Sequence, residues 1–312
     1  MSTLEAIAKR YNAYEATDNS EFRRKARILQ SMWRSERGYP IGEHYTPKYG
    51  SCVLGSRLEM PRAQDELLNY LTPTIRQVVR DEVLDKEKSK GKMYARPRIF
   101  NDLLSSQPLC FNLFGELQRN LNLATSVFAE LLLSGKVWEV TGIEFEYSPG
   151  NRDPKYTGDR TAFDVYVTFK TASGEKGFVG IEVKYHENLQ GQTSPHHPRY
   201  DEIARLMGCF RQEALGQLRK KPLQQLWRDH LLAGILRKVG GFSDGLFAVL
   251  YPEDNQDCIH AAASYRECLS NTVTFEDWTL EKFTAIIKKH TTATWIDDLT
   301  DRYLNFSKLG DV

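Results

Sequence analysis

Two segments close together in the chain, residues 161–171 and 177–185, constrain the fold more than anything else in the sequence. Both are rich in Phe, Val, Tyr, Ile and Thr, the residues that suit a pleated and buried surface. A turn containing Ala172, Ser173 and Gly174 joins them, and so short a connection predicts an antiparallel hairpin. Side chains alternate along a strand, so in Phe163-Asp164-Val165-Tyr166-Val167 the Asp164 carboxylate is expected on the face opposite Phe163, Val165 and Val167. In Ile181-Glu182-Val183-Lys184 the carboxylate and the ammonium share one face while Ile181 and Val183 take the other. A Glu and a Lys two apart on a strand are ordinarily an exposed pair. Here Phe178, Val179, Ile181 and Val183 make the strand mostly buried, where unpaired charges are expensive and mark a site.

The surrounding pattern sets the class. Apolar residues at helical spacing run over 111–134 (Leu113, Leu117, Leu121, Ala124, Phe128), between Pro108 and Gly135, and predict one helix. A strand follows at 137–147, and after the hairpin come a loop at 190–199, helices at 201–218 and 222–238, and a strand at 245–251. This order implies an α/β domain with a mixed central sheet and helices on its faces. Residues 3–37 predict a helical hairpin, 38–55 a loop with Pro40, Gly42, Pro47 and Gly50, and 64–71 and 74–83 further helices. Helices are also expected near 265–269, 275–290 and 295–306. The expected division is a mainly helical N-terminal extension over 1–106, a core over 107–255, and a helical tail over 256–312 packed on that core.

Composition excludes more than it selects. With 41% hydrophobic and 27% charged residues the chain is a soluble folded protein without an apolar run long enough for a membrane span. Its formal charge of +1 gives no global field for nucleic acid, and the clusters Arg23, Arg24, Lys25, Arg27, then Arg96, Arg98, and Arg219, Lys220, Lys221 are expected as solvated faces. Five cysteines without a CxxC pair argue against a disulfide framework or a zinc module. The N-terminus lacks a secretory h-region, so a cytoplasmic location is expected and no membrane partner. No glycine-rich loop with a Walker lysine, GxSxG or HExxH occurs.

Two carboxylates and a lysine converging at a sheet edge have a physical use. Hard oxygen ligands recruit Mg²⁺, which keeps several waters, bridges to phosphate, lowers the pKa of a bound water and neutralises developing charge. The lysine can orient that water or stabilise the transition state, and the Val183 carbonyl, lying between the two side chains, can add an oxygen ligand. Glu144 and Glu146 on the first strand are expected to be solvated, Asp159 and Arg160 to form a turn and an ion pair, His186, His196 and His197 to be exposed loop residues, and Trp227 and Tyr166 to pack in the core.

Asp164, a gap of 18 residues, and then Glu182-Val183-Lys184, set on two adjacent strands between helices, resemble the PD-(D/E)XK nuclease superfamily over about residues 111–251. The segments SSQPLCFNLFGEL at 105–117, GDRTAFDVYV at 158–167 and IEVKYHE at 181–187 are similar to a group of bacterial proteins classed with restriction endonucleases. Phe163 stands where the family often has proline. The resemblance implies a restriction-endonuclease-like core and catalytic roles for Asp164, Glu182 and Lys184. It also implies metal coordination by Asp164 and Glu182, with Mg²⁺ as cofactor and Mn²⁺ as a substitute. A glutamate on the helix before the first strand adds a ligand in many members, and Glu130 is preferred here over Glu116. A glutamine on the helix after the ExK strand meets DNA or the metal site in some members; Gln217, Gln224 and Gln225 are the candidates. Arg228 shares a helical face with Gln225, and with His230, His186 and Arg160 it offers phosphate contacts. The implied activity is a metal-dependent nuclease, DNA before RNA as partner, of restriction or defence type. The N-terminal helices would grip the substrate or pair two chains as a homodimer. The alternative is a non-cleaving nucleic-acid-binding or assembly module on the same fold.

Overall fold

The computed structural model describes residues 3–46, 50–132 and 135–310; Pro47, Leu133 and Ser134, used in the expectations above, lie outside them. In chain order the first elements are helices α1 (Thr3–Arg10) and α2 (Glu21–Glu36), strands β1 (Ile41–Thr46) and β2 (Gly50–Leu58), and helix α3 (Pro73–Val79). Then come α4 (Ser106–Arg119), α5 (Leu121–Leu131), β3 (Glu139–Tyr147), β4 (Phe163–Lys170), β5 (Lys176–Val183), α6 (Pro198–Met207) and α7 (Gln224–Val239). The chain closes with β6 (Asp244–Tyr251), α8 (Gln256–Glu267), β7 (Phe275–Thr279), α9 (Leu280–His290) and α10 (Trp295–Tyr303). No described helix is long and apolar enough to cross a membrane.

Two compact units interleave along the sequence: residues 1–85, 94–115 and 293–312 form one, and 86–93 with 116–292 the other. The expected cuts at 106 and 255 do not follow them. Three local expectations also change. The segment read as a loop at 38–55 holds the antiparallel ribbon β1–β2. The single helix expected over 111–134 is two, because Asn120 breaks it and its side chain caps the next helix by accepting the Leu123 N–H. Residues 275–279, expected as the start of a helix, form β7 with Thr279 as the N-cap of α9.

In the first unit the basic cluster on α2 is split: Arg24 is exposed as expected, but Arg27 is not part of a solvated face. Arg27 is buried, donating to both Asp18 oxygens at 2.5 and 2.8 Å and to Ser56 Oγ. The fully buried Arg302 of α10 lies 3.8 Å from the Trp33 ring centroid and donates to Gln30 and Asn69, so helices distant in sequence are joined by polar contacts inside an apolar surround.

The second unit is built on a five-stranded sheet of order β3-β4-β5-β6-β7, antiparallel from β3 to β5 and parallel from β5 to β7. The hairpin expected from the sequence is present, its turn closed by Gly174 at φ +81°, a backbone conformation that suits glycine. Phe178, Phe247, Val249 and Tyr251 pack with Tyr200, Leu226, Trp227 and Leu231 of α6 and α7 in one core. Val165, Val167, Val179, Ile181 and Val183 are also buried. Helices flank the sheet, with α5 against β3 and its Phe128 meeting Phe283 of α9. Each such fully buried aliphatic or aromatic side chain contributes roughly 1.5–3 kcal/mol, which offsets the cost of keeping charges out of water on the same strands.

Candidate active site

The β4–β5 ladder runs to Val165 opposite Ile181, and there the pairing changes character. One residue on, Asp164 Oδ2 accepts the Val183 N–H at 2.8 Å, so a carboxylate replaces a main-chain acceptor at the end of the ladder. Phe163 does not take the face shared by Val165 and Val167. Its ring joins Tyr166 and Phe178 and covers Gly180, where a Cβ would come within 2.5 Å of the ring. Glycine at 180 is what lets the aromatic ring close over β5.

Glu182 near the end of β5 and Lys184 just after it are only 5% and 7% exposed, although alternation alone would allow them a solvent face. Helix α7 covers that face. Lys184 Nζ donates to Glu182 Oε1 at 2.5 Å and to Gln225 Oε1 at 3.1 Å, and Gln225 Nε2 donates back to Glu182 Oε1 at 2.6 Å. The glutamine amide thus bonds both charged partners, and of Gln217, Gln224 and Gln225 the last is the one brought to this cluster. Gln224 instead clamps the loop after β5, exchanging two 2.7 Å hydrogen bonds with the Ser194 backbone.

Burial opposes the Lys184 charge, yet Glu182, Glu187 and Asp164 together raise its pKa above the ordinary lysine range. The Asp164 carboxyl is pushed well up, first by burial and then by the charges of Glu182 and Glu146. Glu146, expected to be solvated, is half-buried and is the second carboxylate, after Glu182, whose charge acts on Asp164. Its backbone has φ +49°, which breaks the alternation of β3.

Asp229, one helical turn beyond Gln225, went unnoticed in the sequence. It is buried, its Oδ2 has no hydrogen-bond partner, and burial followed by Glu182 pushes its pKa well up. Spacing i, i+4 from a candidate glutamine was the available signal. Asp229 lines a cavity of about 310 Å³ with Arg160, Thr161, Gln192, Gln225 and Arg228.

Other expected residues lie elsewhere or are already engaged. Glu130 is a correction: on α5 it accepts from Lys289 at 2.9 Å and His290 at 2.7 Å on α9, and does not join the Asp164 cluster. Helix α5 packs on β3 and α9, which commits its acidic residue to the basic end of α9. Glu116 is half-buried on α4. Arg228, expected as a phosphate contact, is held by Asp159 at 2.7 and 3.1 Å, by Ser194 and by Thr161. Asp159 therefore pairs with Arg228 and not with Arg160, which is exposed at the cavity wall. His230 is no phosphate contact either, being fully buried between Tyr265 and Thr274. His186 is half-buried with its ring 3.7 Å from Glu187, His196 bonds Asp201, and His197 caps α6. Trp227 and Tyr166 are core, as expected.

The donor set at Asp164 and Glu182 fits a hard divalent cation. Among the described residues no group of three His, Cys, Asp or Glu side chains stands ready to hold a metal unaided. Two carboxylates with a main-chain carbonyl suit Mg²⁺, which keeps several of its waters. The repulsion that raises the Asp164 pKa is what such a cation would relieve.

No curated protein and no solved structure matches the chain. A family model does, over residues 16–305, and that span includes Asp164, Glu182, Lys184, Gln225 and the whole five-stranded sheet. With the mixed sheet, the flanking helices and the acidic pair beside a buried lysine, the chain belongs to the PD-(D/E)XK nuclease superfamily.

Proposed function

We infer that this protein is a Mg²⁺-dependent endonuclease that hydrolyses DNA phosphodiester bonds, of restriction or defence type. The observation that carries the chemistry is the cluster itself. Asp164, Glu182, Lys184 and Gln225 meet at the end of β4–β5, with carboxylates held against one another in a buried place. Natural structures hold such repulsion where it has a use. The choice of DNA and of a defence role is supported by the resemblance of the segments at 105–117, 158–167 and 181–187 to restriction endonucleases.

Asp164 and Glu182 would hold the cation, Mg²⁺ or Mn²⁺, assisted by the Val183 carbonyl. The bound ion supplies an activated water and neutralises charge on the phosphate oxygens. Lys184, bonded to Glu182 and Gln225, would orient the attacking water and stabilise the charge that develops in the transition state. Gln225 fixes the lysine and the glutamate relative to each other, so that little reorganisation is left for the moment of reaction.

The test is to incubate the purified protein with supercoiled plasmid, single-stranded DNA and RNA, each in Mg²⁺ and in EDTA. Nicking or linearisation of plasmid in Mg²⁺ alone is the expected result. No metal-dependent change in any of the three would overturn the enzyme reading and leave a module that binds without cutting.

A further inference from the structure

We propose that Asp229 is a third carboxylate of the cation site, acting on the bound ion through a water molecule. The proposal rests on the nuclease reading above and adds a residue to it. Asp229 is 4% exposed and its Oδ2 accepts no hydrogen bond. A buried carboxylate oxygen without a donor is costly unless something occupies the place beside it.

Position indicates what that is. Asp229 follows Gln225 by one turn on α7, and Gln225 is bonded to Glu182 and Lys184. Both α7 residues line the same 310 Å³ cavity. The nearest cation in sequence, Arg228, gives its guanidinium hydrogen bonds to Asp159, Ser194 and Thr161, and no donor reaches Asp229 Oδ2. A hydrated divalent ion on Asp164 and Glu182 would supply what is missing, water protons for the free Oδ2. Since no group of three acids among the described residues converges for direct ligation, the contact runs through water.

Mn²⁺ titrated calorimetrically into the full chain, without nucleic acid, tests this. Wild type is compared with Asp229→Asn, which keeps the side-chain volume, Asp229→Ser, which leaves room for water, and Asp164→Asn as a reference. Both Asp229 variants are expected to bind Mn²⁺ about tenfold more weakly, the effect usual for an outer carboxylate of a metal site. Their metal-free melting temperatures should equal or exceed that of wild type, because a buried carboxyl oxygen without a hydrogen-bond partner has been removed. Unchanged Mn²⁺ affinity in a folded Asp229 variant, with Asp164→Asn weakened, overturns the role of Asp229 alone. Unchanged affinity in all three variants overturns the metal site itself, and with it the proposed function.

Discussion

Two clusters of buried charge lie within one unit of this protein and share helix α7, yet they are built in opposite ways. Around Asp159 every partner is supplied. Thr157, the Thr161 N–H and hydroxyl, Tyr200 and Arg228 all donate to its oxygens. Burial alone would raise its pKa, but Arg228 and these hydrogen bonds carry it below the usual carboxylate range. At the end of β5 the reverse holds. Asp164 and Asp229 are pushed upward by burial and by Glu182, and one Asp229 oxygen has no donor. A saturated cluster holds elements together, here tying the loop before β4 to α6 and α7. An unsaturated one has capacity left for a cation and a phosphate.

That contrast can be broken by substitution, and the largest effect on stability belongs to the saturated cluster. Arg228→Ala leaves the half-buried Asp159 without its cation and should cost about 3 kcal/mol of unfolding free energy, measured by urea denaturation. A loss below ~1 kcal/mol would show that the clamp is not structural.

His230 gives the next largest effect. Burial lowers its pKa from 6.5 to about 3, and both ring nitrogens are engaged by Tyr265 and Thr274. The unfolded chain therefore binds a proton below pH 6.5 that the folded chain refuses until about 3, so stability falls as pH falls through this window. From pH 7 to 5 the loss from this residue is about 2 kcal/mol. In His230→Phe that part of the pH dependence should vanish, and an unaltered pH profile of stability would refute the assignment.

Gln225 sharpens the comparison from the other side. Gln225→Ala should lower the cleavage rate about tenfold while moving the melting temperature by only a few degrees, since it orients catalytic groups rather than neutralising a charge. A fall in stability as large as that of Arg228→Ala would make Gln225 a structural residue instead. Smallest of all is Glu130→Ala. Its ion pairs with Lys289 and His290 are exposed, so the melting temperature should barely move and Mg²⁺-dependent cleavage not at all. A cleavage defect there would restore Glu130 to the metal site.

Much of the site was legible because a strand has a period of two. The alternation at 181–184 puts the Glu182 carboxylate and the Lys184 ammonium on one face of the candidate site, and the order of elements puts a glutamine-bearing helix after them; Asp164 reaches the same place through the Val183 N–H although Phe163 leaves the face that alternation gives it. What was not legible lies where period fails. Glu146 sits at a left-handed backbone position inside β3, so alternation misplaced it in solvent. Asp229 and Gln225 belong to a helix that is buried nearly all round, with no apolar stripe to show which residues face the sheet. Glu130 was assigned by its distance along the chain from Asp164, but its helix packs its acidic residue against α9. The ribbon β1–β2 was hidden by glycine and proline, and β7 by its shortness and two acidic residues.

The central claim is that the unsaturated cluster exists for catalysis and not for stability. Lys184→Ala separates these most directly, assayed for Mg²⁺-dependent plasmid cleavage and for thermal melting on the same preparation. The account predicts cleavage reduced at least ~10³-fold with a melting temperature within a few degrees of wild type. Cleavage that persists near the wild-type rate, or that disappears only because the variant unfolds, would contradict it.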